Sequence, residues 1–337
     1  MIKRKLGRSG IEVSALGIGC WAIGGPWYDE ETGKPFGWGE TDDRESIAAI
    51  HCALDNGINL IDTADNYGAG HSERVIGQAL QGRRDKAVLA TKFGYVTNEE
   101  TKMAAGYNAS RTYIKSACEA SLRRLGTDYI DLYQFHLGDY PEHLAQEVMD
   151  ALEELVTEGK IRFFGWSTDM TDRAEHFALS KHCVAIQHNL NVFLDNAAML
   201  DVCERNRLAS INRGPLAMGL LTGKYSEVVH VHDPKDIRRR GDLEWLTYFK
   251  DGVPSQEMTD QLRAIREVLT SGGRSLTQGA LAWLWARSDV TIPIPGFRTV
   301  KHVTENAKAM SFGPLTVAEM RQIGQLLAAQ EEFRDRI

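Results

Sequence analysis

The sequence predicts an α/β protein, a (β/α)8 (TIM) barrel with an N-terminal β-hairpin and long loops at the C-terminal face. Three observations predict it. Eight short apolar runs are spread along 337 residues. Helix-period segments separate most of them. The chain length suits a single barrel domain spanning 1–337.

The elements follow in order. Residues 3–6 and 12–13 flank Gly7-Arg8-Ser9-Gly10, a hairpin pattern. The candidate strands are 15–19, 59–62, 87–92, 130–136, 161–167, 184–187, 208–212 and 291–294. In 43–56 the stripe Ile47, Ile50, Leu54 recurs every three or four residues, and Gly57 supplies a stop. In 111–125 the stripe is Ile114, Cys118, Leu122, Leu125, with Ser110 as N-cap and Gly126 as terminator. In 141–158 it is Leu144, Val148, Ala151, Leu152, Leu155, with Pro141 in the first turn and Gly159 at the exit. Further helices fit 72–81, 171–181, 195–206, 256–271, 275–287, 299–309 and 316–329. Two stretches, 23–40 and 224–255, exceed the usual connection length and are candidate lids or substrate walls.

Composition narrows the function. Apolar residues make up 43%, enough to offset chain entropy, and the net charge is −7. With no basic block beyond Arg238-Arg239-Arg240, read as a solvated loop, nucleic acid is not the expected ligand. No run is long enough to span a bilayer, and no apolar stretch follows the basic start, so a cytoplasmic location is expected. Cys20, Cys52, Cys118, Cys183 and Cys203 are odd in number and widely spaced, which suits reduced thiols. His230 and His232 read as loop residues, and no metal site is expected. A doubly wound dinucleotide fold lacks its third glycine: Ala22 follows Gly17-Ile18-Gly19, and Glu73 follows Gly68-Ala69-Gly70.

In a barrel, chemistry gathers where the strands end. Those ends carry Cys20-Trp21, Asp62, Lys92, His136, Ser167-Thr168, Gln187, Arg213 and Pro295-Gly296. A lysine ending an apolar run requires a partner, which Asp62 supplies. Tyr67 lies five residues past Asp62, on a loop able to return its phenol over the mouth. A cation about 4 Å from a phenol is worth roughly 4 kcal/mol at an effective dielectric near 20. Lys92 is therefore expected to depress Tyr67 unaided. His136 would steer a substrate oxygen toward Tyr67. This machinery moves a proton at a carbonyl or alcohol oxygen but holds no redox group, so a cofactor must bring the hydride. A metal-dependent barrel hydrolase is disfavoured, because only Asp62 and His136 qualify as ligands and Lys92 would repel the ion.

These segments resemble the aldo-keto reductases, in the bacterial-type, aryl-alcohol-dehydrogenase-like branch. DTADNYGAGHSE (62–73), ATKFG (90–94), DLYQFH (131–136), GPLAMGLLTGKY (214–225) and IPIPGFRTVKHVTENAKA (292–309) occur in the family's order. The resemblance implies a tetrad of Asp62, Tyr67, Lys92 and His136 and a nicotinamide cofactor, NADP rather than NAD. It places Trp21, Asp62, Ser167, Thr168 and Gln187 around the nicotinamide. Thr168 stands where the family usually has asparagine, and Arg213 replaces a stacking tyrosine. Gly214, Leu216, Gly219 and Lys224 match the pyrophosphate segment. Gly296, Arg298, His302, Glu305 and Asn306 match the adenosine end, with Arg298 placed for a 2′-phosphate and His302 where arginine or glutamine is common. Pocket-wall candidates are Trp27, Tyr28, Trp38, Tyr95, Trp166, Trp245 and Tyr248. The expected substrates are small carbonyls, alcohols or sugars. The alternatives are an NAD-dependent sugar or polyol dehydrogenase, and a cofactor-binding regulatory module like the channel β-subunits.

Overall fold

The computed structural model describes residues 2–225 and 229–334. Eight parallel strands form the barrel: β1 (Gly17–Gly19), β2 (Leu60–Asp62), β3 (Val88–Phe93), β4 (Ile130–Phe135), β5 (Ile161–Ser167), β6 (Cys183–Asn189), β7 (Ala209–Arg213) and β8 (Thr291–Pro293). Each pairs with the next in sequence. The seam closes where Gly19 bridges Gly296 and the Gly19 amide donates to the Pro295 carbonyl at 3.1 Å. Only glycine fits there, because a Cβ on Gly19 would lie 2.7 Å from the Ile294 carbonyl oxygen.

Ten helices surround the barrel among the described residues: α1 (Asp43–Asp55), α2 (His71–Ala79), α3 (Arg111–Leu125), α4 (Ala145–Thr157), α5 (Thr171–Ala178), α6 (Ala197–Arg205), α7 (Gln256–Leu269), α8 (Leu276–Arg287), α9 (Val300–Lys308) and α10 (Val317–Arg334). Ser110 caps α3 by accepting from the Tyr113 amide at 3.3 Å, and Gly126 ends it in the left-handed conformation. The segment after Pro141 starts as a 3-10 turn, so α4 begins only at Ala145. No helix among the described residues is long and apolar enough to cross a membrane.

Side-chain alternation explains the interior. Leu60, Val88, Ala90, Leu132, Ala209, Ile211, Ile292 and Ile294 point inward and pack with Leu6 and Val13 of the hairpin that plugs the N-terminal end. Two positions further along, the same inward rows turn polar, at Asp62, Lys92, Gln134, Gln187 and Arg213. The apolar layer is the floor and the polar layer is the site.

Two features depart from the sequence reading. Residues 95–98 and 103–107, given no element there, form a hairpin that pairs with Tyr28–Asp29. This sheet braces the loop at 23–40. The Arg238-Arg239-Arg240 run is not a solvated loop. Arg238 and Arg240 are buried, Arg238 ion-paired with Asp236 at 2.6 Å and Arg240 with Asp242 at 2.7 Å. Aromatic faces and carboxylates from the same loops replace the water these guanidiniums lose. Of the 224–255 stretch, residues 226–228 lie outside those described.

Candidate active site

The loop leaving β2 carries Tyr67 back over the barrel mouth. It is fixed at both ends. The Asp65 amide donates to the Lys92 carbonyl at 3.1 Å, and Ser72 Oγ donates to the Cys20 carbonyl at 2.9 Å. Beneath it, fully buried Glu73 accepts from Thr91 Oγ1 and from Arg124 Nε, both at 2.6 Å. Removing Glu73 takes away the buried partner of Arg124 and leaves it the half-exposed Glu99, at 2.8 Å. Glu73→Ala should lower the unfolding free energy by about 3 kcal/mol. Urea melts check this, and a change under about 1 kcal/mol would mean that the pair does not hold the loop.

Lys92 is fully buried, and its ammonium is saturated. It donates to Asp62 Oδ1 at 2.6 Å, the Thr63 carbonyl at 2.7 Å and Tyr67 Oη at 3.3 Å. Burial opposes its charge, but Asp62 and Tyr67 outweigh burial and raise its pKa. The second Asp62 oxygen accepts from Gln134 Nε2 at 2.9 Å and Gln187 Nε2 at 2.8 Å.

The expectation that Lys92 alone would depress Tyr67 is not met. Burial raises the phenol's pKa by more than Lys92 lowers it, and Asp62 pushes the same way as burial. The two-charge estimate left out both the desolvation of a phenolate and the carboxylate that half-neutralises the lysine. Tyr67 is thus a neutral phenol at physiological pH, the form that donates a proton.

His136 follows β4 and meets Tyr67 edge-on, with centroids 6.0 Å apart. Burial first, then Lys92 and Arg213, push its pKa well below the ordinary imidazole value, so it is neutral. Activity controlled by His136 should therefore be flat from pH 8 down to pH 6, where a free imidazole would be titrating. A pH profile in that window checks this, and an inflection near 6.5 would contradict it.

Aromatic rings wall the phenol. Trp21 stacks on Tyr67 at 5.9 Å and 19°, and Trp27 lies 6.1 Å from it. Trp38 and Trp245 lie 5.3 and 6.5 Å from Trp21. Tyr95 covers His136 at 5.2 Å. Trp166 does not belong with them. It is fully buried, packs on Phe177 of α5 at 4.5 Å and donates to the Leu137 carbonyl. Strand alternation turns it outward while Ser167 turns inward. Tyr28 lies in the outer sheet. Tyr248 is buried with its hydroxyl on Asn191 Nδ2 at 2.7 Å, a structural contact.

The remaining residues form a strip running away from Tyr67 along neighbouring strand ends. Ser167, Gln187 and Arg213 are on β5, β6 and β7, which adjoin in that order. The Thr168 hydroxyl is committed to the Gly138 carbonyl at 2.6 Å. Arg213 pairs with Asp169, a partner the sequence reading missed. Beyond it, Gly214 (φ +64°), Met218 (φ 51°) and Gly219 (φ 97°) turn the backbone tightly before exposed Lys224, and Leu216 is buried beneath. From the end of β8, past Gly296, Arg298 donates to the Trp38 carbonyl at 3.0 Å and to that of Glu40. The Arg298 amide donates to His302 Nδ1 at 3.3 Å, and Glu305 accepts from Ser275 Oγ at 2.8 Å. Asn306 is buried, and its amide nitrogen has no partner among the described residues. A stranded buried donor at the far end of a strip with left-handed backbone turns fits a long polar ligand. No cluster able to hold a metal ion occurs among the described residues.

A neutral phenol, an ion-paired lysine and a neutral imidazole at the mouth of a (β/α)8 barrel define an oxidoreductase acting on the CH–OH/C=O pair. The sequence model of the Aldo/keto reductase family matches residues 15–328, and the chain belongs to that family. It is 34% identical over 296 residues to aldo-keto reductase YhdN of Bacillus subtilis, covering 86% of this chain and 83% of that one. Among solved structures, the glycerol dehydrogenase AKR11B4 from Gluconobacter oxydans superimposes with a TM-score of 0.79 at 29% identity, covering 97% of this chain and 95% of the other. An aldo/keto reductase from Klebsiella pneumoniae, in complex with NADP and acetate, gives 0.68 at 27% identity, covering 97% and 96%.

Proposed function

We propose that this chain, working as a single barrel domain, is an NADP(H)-dependent carbonyl reductase in which Tyr67 is the general acid. The observation that carries the reading is the contact of Lys92 with both Asp62 and Tyr67, beside a neutral His136. The bound nicotinamide would supply the hydride. The Tyr67 hydroxyl gives its proton to the carbonyl oxygen, which the neutral His136 orients. Lys92 stabilises the phenolate left behind, which regains a proton from solvent; the reverse reaction oxidises the alcohol. Ser167 and Gln187 would hold the carboxamide, Arg213 would stack on the ring, and Trp21 would wall it. The backbone of Gly214, Leu216 and Gly219 with Lys224 would hold the pyrophosphate, and Gly296, Arg298, His302, Glu305 and Asn306 the adenosine end.

For Gln187 and Arg298 this means exchanging present partners: Gln187 now serves Asp62, and Arg298 serves the carbonyls at 38 and 40. Arg298→Ala should weaken NADPH about 10- to 100-fold, the loss of a charge-assisted hydrogen bond, and NADH far less. Tryptophan fluorescence titration with each nucleotide tests both points. Tighter NADPH binding by the wild type supports the reading, and tighter NADH binding moves the chain toward an NAD-dependent polyol dehydrogenase. No binding of either overturns it, and equal weakening by Arg298→Ala removes that residue from the 2′-phosphate.

A further inference from the structure

The second long loop, described over 229–255, carries an exposed indole to the barrel mouth. Trp245 is 54% exposed, yet the segment bearing it is pinned to its surroundings. The Ile237 amide donates to the Gly37 carbonyl at 2.8 Å and the Gly39 amide to that of Lys235 at 3.2 Å, so the two long loops join by backbone. Arg238 locks the joint. It pairs with Asp236, donates to the Met218 carbonyl at 3.1 Å, and lies 4.7 Å from the Trp38 ring and 4.8 Å from the Tyr225 ring. The result is a fixed rim.

That rim holds Trp245 against Trp21, which stacks on Tyr67. Flat rings therefore run without a break from solvent to the phenol, and Tyr95 faces them from the His136 side. Trp245, Trp21 and Trp38 make a contiguous, partly exposed patch of three indoles leading to Tyr67, more than the scatter of single apolar residues normal on a surface. Ring–ring contacts favour planar π-systems over saturated rings of equal bulk.

We propose that Trp245 is a substrate-selecting residue: it forms the outer wall of the passage to Tyr67 and favours carbonyl compounds carrying a planar aromatic group over saturated ones of the same size. The inference rests on the oxidoreductase reading above. The test compares kcat/KM for benzaldehyde and for cyclohexanecarbaldehyde with NADPH, in the wild type, Trp245→Leu and Trp245→Phe. The wild type should prefer benzaldehyde. Trp245→Leu keeps apolar bulk without the flat ring and should cut that preference about 3- to 10-fold, through KM, as expected for loss of one aromatic contact. Trp245→Phe should restore most of it. An unchanged preference in Trp245→Leu, or an equal fall for both aldehydes, overturns the proposal. If the wild type reduces neither aldehyde with either nucleotide, the reading of the chain as a reductase of such aldehydes fails by itself. Binding of benzyl alcohol and cyclohexylmethanol, measured by saturation-transfer NMR, then decides on Trp245: a binding preference lost in Trp245→Leu supports the selecting role, and no preference overturns it.

Discussion

Tyr67→Phe should reduce carbonyl turnover by about 10³-fold or more while leaving nucleotide affinity within about twofold. Removing a positioned general acid typically costs 10²- to 10⁴-fold. The substitution deletes one oxygen and keeps the ring that stacks on Trp21 and neighbours Trp27, so the mouth keeps its shape. Among the described residues, the only hydrogen bond lost at Oη is that from Lys92, whose ammonium still has Asp62 and the Thr63 carbonyl. Stopped-flow turnover and fluorescence titration separate chemistry from binding. Retention of more than about a tenth of the wild-type rate would remove Tyr67 from the proton transfer.

The second large effect is expected at Lys92. Lys92→Met leaves the Asp62 carboxylate buried with the Gln134 and Gln187 amides but no cation. Breaking a buried ion pair from one side costs about 3–5 kcal/mol. The same change removes the stronger of the two cations, Lys92 and Arg213, that lower the Tyr67 pKa against burial. The sign follows directly. Alcohol oxidation needs the phenolate, which exists above the Tyr67 pKa. The rise of oxidation rate with pH should therefore move to higher pH in Lys92→Met, whereas reduction, which uses the neutral phenol, should lose rate because the phenolate product is no longer stabilised. The double variant Asp62→Asn with Lys92→Met carries neither charge of this pair and should regain much of the stability but none of the activity. Denaturant midpoints and the pH profile of oxidation check the two halves independently. A single variant as stable as the wild type, or an oxidation profile that stays in place, would contradict the arrangement.

Much of this was legible in the chain. The eight strands lie within two residues of the apolar runs, because a buried parallel strand is a short hydrophobic run whatever surrounds it. The cap of α3 at Ser110 and its stop at Gly126 are local chemistry and are read locally. Asp62, Lys92 and His136 stand out by converging on one mouth, since singly an aspartate there reads as a cap and a histidine as a core residue. Gln134 is legible too. Counting back two from His136 along the same strand puts it inward, on the second oxygen of Asp62.

What the sequence alone determined, then, is what depends on periodicity and on strand ends, the barrel and its polar layer, and, through the resemblance of its motifs, the family. The tertiary structure decided what depends on neighbours far apart in the chain. It decided that Trp166 faces α5 and not the mouth, since only packing shows which side of a strand buried on both faces at its C-terminal end meets a helix. It decided that Arg238 is buried, since its charge is matched by rings at 38, 225 and 249 that no local pattern connects. It also decided the protonation of the phenol. A pairwise attraction can be read from two residues, but desolvation is set by everything that excludes water around them, and at Tyr67 desolvation is the larger.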